Sequence, residues 1–185
     1  MDLHTYAALY LSHTDENNIQ EFLQDYGIAE KAIRKKLHMT IYEAPFVLRG
    51  VNPSVEDILI QANINETRFM VMAPGGEVAQ PGFHPNERMV GIRFTRRNKA
   101  TPNIDDLRRR FADLEAPYIL GSLQGSTARR SIFGSPQFQP HVTLLDPGSG
   151  VNSDLTLLGQ AFRSEFKELT FDLLEIRFRK NRFTS

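Results

Sequence analysis

The chain has 185 residues, enough for one domain with a sizeable core or two small lobes sharing one. It carries 22 basic and 22 acidic residues, and this balance argues against a protein that grips long duplex DNA by its phosphates. It has no cysteine, which excludes disulfides, thiolate metal sites and a cysteine nucleophile.

In chain order, the apolar run "YAALYLS" predicts a buried strand. Thr14 or Asp15 is the expected cap of a helix through "ENNIQEFLQDY", which Gly27 ends. "AEKAIRKK" predicts another helical turn or two, and residues 36–42 a strand. Asn52-Pro53 resembles a helix start and predicts a helix over "SVEDILIQAN". "TRFMVMAP" and "RMVGIRFT" read as strands around the glycine- and proline-rich loop "GGEVAQPGFHPNE". Thr101-Pro102 opens a helix over "NIDDLRRRFADLEA", expected to stop before Pro117. Residues 121–139 read as a loop with Arg129 and Arg130 at its middle. A strand over 139–145, a helix over "LTLLGQAFRSEF" and a last strand over "ELTFDLLEIRFRK" follow. Helices and successive strands together predict an α+β fold with antiparallel pairing, a single domain over 1–185. The order strand, helix, histidine strand comes early, and a similar order late suggests an internal duplication. No apolar run reaches the roughly 18–20 residues that span a bilayer, so no membrane partner is expected. The start shows no signal peptide, and a cytoplasmic location is the default expectation.

Two short segments carry chemistry. "LHMTIY" contains His38 and Thr40, and "PHVTLL" contains His141 and Thr143. Strand residues i and i+2 face the same way, so Lys36, His38, Thr40 and Tyr42 are expected on one face, and His141 and Thr143 on one face of the second strand. The apolar residues between them can pack on helices. A strand histidine is most often solvent-facing or hydrogen-bonded, and threonine is a good strand former. Two His-x-Ser/Thr matches arise by chance in roughly one such chain in ten, so the weight comes from the repeat within strand-like apolar surroundings.

The paired H-x-T motifs resemble those of the two-histidine phosphoesterases, the superfamily of bacterial RNA-ligase-like proteins and plant cyclic phosphodiesterases. The separation of 103 residues between His38 and His141 suits that family, as does the opening strand and helix. The resemblance implies a bilobal α+β fold with two antiparallel sheets facing across a central cleft, helices outside and a pseudo-two-fold duplication. It implies a phosphodiesterase without a metal or other cofactor, acting on a small nucleotide or an RNA end. Two substrate classes suit it: a 2′,3′-cyclic phosphate, or a cyclic di- or oligonucleotide signal of the kind that some viral relatives cut to evade bacterial immunity. A nucleotide- or RNA-binding module of the same fold without turnover is the alternative.

The chemistry agrees with this reading. Two imidazoles can divide the acid and base roles of phosphodiester cleavage, and two hydroxyls can donate to the phosphoryl oxygens. His38, Thr40, His141 and Thr143 are the candidate catalytic residues. Lys36, Tyr42, Arg129, Arg130 and Phe138 are candidate substrate contacts, with Phe133 a further aromatic beside the second motif. Arg177 and Arg179 alternate along the last strand and suit either a basic cleft or a protected sheet edge.

Overall fold

Leu3–Leu11 form β1, and almost the whole run is buried on both sides, as a strand with neighbours at each edge requires. Such a strand belongs in the middle of a sheet. In the computed structural model, which describes residues 3–44, 46–53, 56–72, 89–122, 139–146 and 155–180, β1 lies between β2 (His38–Ala44) and β7 (Glu168–Lys180). β7 also pairs with β3 (Glu56–Asn63), giving a four-stranded antiparallel sheet of order β2-β1-β7-β3. A second antiparallel sheet has the order β4 (Thr67–Met72), β5 (Met89–Phe94), β6 (His141–Leu145). With helices α1 (His13–Asp25), α2 (Thr101–Ser122) and α3 (Leu155–Glu165), the architecture is α+β as the sequence predicts. No helix among the described residues is long and apolar enough to cross a membrane.

Three expectations need correction. The α1 cap is Ser12, whose hydroxyl accepts from the Asp15 amide at 3.2 Å. Asp15 instead uses its carboxylate to accept the Thr170 amide on β7 at 2.6 Å, pinning the helix start to the sheet. The predicted helix over "SVEDILIQAN" is strand β3: Asp57, Leu59 and Gln61 are exposed while Ile60 and Ala62 are buried, a period of two. α2 continues through Pro117. Pro117 and Asp113 both lie on the exposed side, so water can satisfy the Asp113 carbonyl that the proline ring leaves without a donor. "AEKAIRKK" gives a single 3-10 turn, Glu30–Ala32. Gly27, at φ +87°, ends α1 in the left-handed conformation.

The segment between α1 and β2 positions the first motif. Glu16 accepts the Leu37 amide at 2.8 Å, and the Gln20 side-chain amide donates to the Arg34 and Lys35 carbonyls. The same segment joins the two sheets. Ile33 bridges Leu145, the Arg34 amide donates to the Leu144 carbonyl at 2.9 Å, and the Asp146 amide donates to the Ala32 carbonyl at 2.9 Å. An Arg34–Asp146 ion pair at 2.6 Å adds a side-chain clamp. Residues 32–34 therefore lie along β6 and run directly into β2, so the two motif-bearing strands are held by one stretch of chain.

The core between helices and sheets is aromatic. Phe162 of α3 meets Phe22 of α1 edge-on at 5.5 Å, Phe69 of β4 at 4.9 Å and Phe166 at 4.5 Å. Gly159 lets Phe69 approach the α3 backbone, since a Cβ there would sit 3.3 Å from the ring.

Candidate functional site

The two motif strands share a local design. In β2 and the residue before it, Leu37, Met39 and Ile41 are buried while His38 and Thr40 are half-buried, so the apolar set faces the core and the polar pair faces away. In β6, Val142 and Leu144 are fully buried and His141 and Thr143 half-buried. Each histidine also makes the same bond to its own chain. His38 Nδ1 lies 2.9 Å from the Lys36 carbonyl, and His141 Nδ1 lies 2.9 Å from the Gln139 carbonyl. A carbonyl only accepts, so Nδ1–H donates and the neutral tautomer leaves Nε2 as an acceptor. Among the described residues neither Nε2 has a hydrogen-bond partner.

Both strands carry a bulge just beyond the threonine. Ala7 pairs with Tyr42 and Ala8 with Thr40, which leaves Ile41 as the extra residue. Gly91 pairs with Thr143 and Val90 with Leu145, which leaves Leu144 as the extra residue. A bulge breaks the alternation of faces. Leu144 and Leu145 are accordingly both buried, and so are Ile41 and Tyr42. The expected place of Tyr42 beside His38 is thereby corrected. Tyr42 points into the core, stacks on Phe111 of α2 at 5.2 Å and donates its hydroxyl to Glu115. Lys36 is exposed and precedes β2, and its carbonyl is what holds His38. Arg129, Arg130, Phe133 and Phe138 lie outside the described residues.

Around His38 the four-stranded sheet supplies two tyrosines that the sequence reading passed over as part of a buried strand. Tyr10 is the cross-strand partner of His38, with ring centroids 5.3 Å apart. Burial first, then Tyr6 and a hydrogen bond to Glu175, push the Tyr10 pKa up to about 12, so it stays a neutral phenol. The Tyr6 hydroxyl lies 3.1 Å from the Thr40 hydroxyl, and the Arg179 guanidinium sits 3.6 Å over the Tyr6 ring. With Tyr6 as donor, the Thr40 proton is free to point at a ligand. Arg177 and Arg179 lie on the stretch of β7 beyond Leu174, where among the described residues it pairs with β1 alone. They pair with Tyr6 and His4 on the face that carries His38. Beside His141, the cross-strand partner is Arg93, whose own partner on β4 is Arg68. The arginines in "TRFM" and "GIRF" could have been found by asking which strand face interrupts an apolar alternation with a cation. A groove of about 420 Å³ between α1 and α3, lined by Glu21, Asp25, Glu165 and two phenylalanines, lies apart from both motifs.

The electrostatics couple the two halves. Burial lowers the His38 pKa below its ordinary 6.5; the hydrogen bond to Lys36 opposes this, and the charges of Arg34, Arg179 and His141 add to it. Burial likewise lowers the His141 pKa, against the Gln139 bond and with the charges of Arg93 and Arg34. Arg34 thus acts on both imidazoles. Repulsion between them is mutual, so the pair favours holding one proton over two. Among the described residues, no group of three or more histidine and carboxylate side chains is disposed to hold a metal ion.

These shifts predict how stability depends on pH. Each histidine has a lower pKa in the folded chain than in the unfolded one, so its contribution is present above 6.5 and is lost as the pH falls through the lowered folded values. The Tm should therefore drop between about pH 7 and about pH 5, and drop less in the His38→Ala/His141→Ala double variant. Parallel drops in thermal scans of the two proteins would show that the histidines titrate alike folded and unfolded.

The chain matches no model of a known protein family and no curated protein.

Proposed function

We propose that this protein is a phosphodiesterase of the two-histidine kind, cleaving a nucleotide phosphodiester without a metal cofactor. In this reading the two sheets are two lobes that face each other across a cleft, with one motif from each, related by a pseudo-two-fold duplication. The observation that carries it is the repeated local chemistry: in both motifs Nδ1–H is tied to the carbonyl two residues back, and Nε2 is left for a ligand. A histidine kept only for packing has no need of a fixed tautomer, and two of them have no need of the same one. The matching bulges at Ile41 and Leu144, each after the motif threonine, support the duplication.

The proposed reaction needs one imidazole neutral and one protonated; mutual repulsion disfavours two protons on the pair, and the negative charge of a bound phosphate would favour the one that is needed. Nε2 of the neutral histidine takes the proton from the attacking hydroxyl, which is either water or the substrate's own 2′-hydroxyl. The oxygen–phosphorus bond to the leaving group breaks, and Nε2–H of the second histidine gives that oxygen its proton. Thr40 and Thr143 donate to the non-bridging oxygens as charge builds on them. Tyr10 beside His38 offers a face on which a base can stack. The substrate is either a 2′,3′-cyclic phosphate or a cyclic di- or oligonucleotide.

The test is a panel of 2′,3′-cyclic nucleotides, cyclic dinucleotides and cyclic trinucleotides incubated with the protein in excess EDTA, with products resolved by chromatography. Cleavage at an undiminished rate is the expected result, since histidines supply the proton transfers. Loss of activity that zinc or manganese restores would overturn the assignment. Tight binding of the panel without turnover would make the protein a nucleotide-binding module.

A further inference from the structure

Three side chains able to carry positive charge stand in one cross-strand row of the three-stranded sheet. Arg93 on β5 is the direct partner of His141 on β6 and of Arg68 on β4. Directly opposed residues project from the same side of a sheet, so the row reads Arg68, Arg93, His141 on the face that carries the second motif. Neighbouring strands lie about 4.8 Å apart, so the arginines start about 5 Å and about 10 Å from His141 along the sheet. The next row on this face is Met70, Gly91, Thr143. Gly91 puts no side chain of its own between Thr143 and Met70.

Like charges directly opposed on paired strands destabilise a sheet. Arg34, Arg108, Arg109, Arg110 and Arg177 each have a carboxylate partner. Among the described residues, Arg68 and Arg93 have none. Arg93 is half-buried, and its pKa is lowered by burial first and by the Arg68 charge second. Among the described residues no carboxylate offsets the repulsion between these guanidiniums. An anion lying across them removes the repulsion, and the planar fork of arginine suits the oxygens of a phosphate.

We propose that Arg68 and Arg93 hold a second phosphate of the substrate, next to the one engaged by His141 and Thr143. This rests on the reading of the His-x-Thr pair as a phosphodiester-cleaving site. It narrows the substrate to nucleotides with at least two phosphates, such as a dinucleotide or longer chain, linear or cyclic. A lone cyclic mononucleotide fills half of the site.

The experiment compares adenosine 2′,3′-cyclic phosphate, the same compound with a 5′-phosphate, and the dinucleotide ApA ending in a 2′,3′-cyclic phosphate. Arg68 is exposed, so Arg68→Gln opens no cavity in the core. The parent should prefer the dinucleotide over the mononucleotide by about tenfold or more in kcat/KM, chiefly through KM, as one charged hydrogen-bonded contact allows. That preference should shrink to about twofold in Arg68→Gln, and raising the salt should weaken it in the parent. If the 5′-phosphate alone restores the preference, the second phosphate is a terminal one; if only the dinucleotide does, it is the internucleotide one. Both results support the site. A parent that cleaves all three substrates equally well overturns it and leaves the phosphodiesterase reading intact. Calorimetry with adenosine 3′-phosphate and the 3′-phosphorylated dinucleotide ApAp measures the same ratio without turnover. There a tenfold ratio that Arg68→Gln abolishes supports the second-phosphate site even if no substrate is cleaved, and a ratio near one overturns it.

Discussion

His38→Ala and His141→Ala should each lower kcat by about 10²–10⁴, the usual contribution of one positioned general acid or base. Among the described residues both Nδ1 atoms bond only to the main chain two residues away, and both rings are half-buried on the face turned from the core. Removing either ring therefore leaves the sheets intact and takes away one proton-transfer step. The double variant should lose less than the product of the single losses, because the two groups act on one transition state. Thr40→Val and Thr143→Val keep the side-chain shape and delete one hydroxyl. Each should cost about 1.5–3 kcal/mol, shared between binding and turnover, as for a lost donor to a charged oxygen. Calorimetry should find ligand binding less affected by the histidine changes than turnover is. Two histidine variants that cleave the whole substrate panel at the parental rate would reduce His38 and His141 to parts of the scaffold.

The largest loss of stability is expected from Phe162→Ala, about 3–5 kcal/mol. Phe162 is fully buried and touches a ring from α1, a ring from β4 and Phe166 at the end of its own helix. Truncation removes the ring's transfer energy, and its neighbours cannot all close on the space because they belong to three different elements. Phe69 is further constrained, since it already rests against Gly159. A fall in the denaturant midpoint with an unchanged slope would report this loss, and a loss under about 1 kcal/mol would show that the helices repack freely around the gap. The motif histidines lie on the other side of their strands, so the surviving folded fraction should cleave at the parental rate.

The two motifs were legible because side-chain alternation is local. Within "LHMT" and "HVTL" the apolar residues face the core and the histidine and threonine face away, as the period of two demands. The α+β class followed equally from local patterns, as did the end of α1 at Gly27 and the bounds of β7. Tyr42 shows where such reasoning ends. Its side depends on a bulge at Ile41, and that bulge exists only in the register that β2 adopts against β1, more than thirty residues away in sequence. Residues 56–63 show the same limit. "EDILIQAN" tolerates either periodicity, and the free edge of β7 makes it a strand by supplying hydrogen-bond partners that no helix would use. By itself, then, the sequence determined which strands carry imidazole and hydroxyl and which side of each they take, because those properties follow from neighbours one and two residues apart. Only the tertiary structure decided what stands beside them: Tyr10 against His38, Arg179 over Tyr6, and Arg68 and Arg93 in line with His141. Those neighbours come from distant strands, and strand order and register arise from the packing of the whole core, which no local pattern encodes.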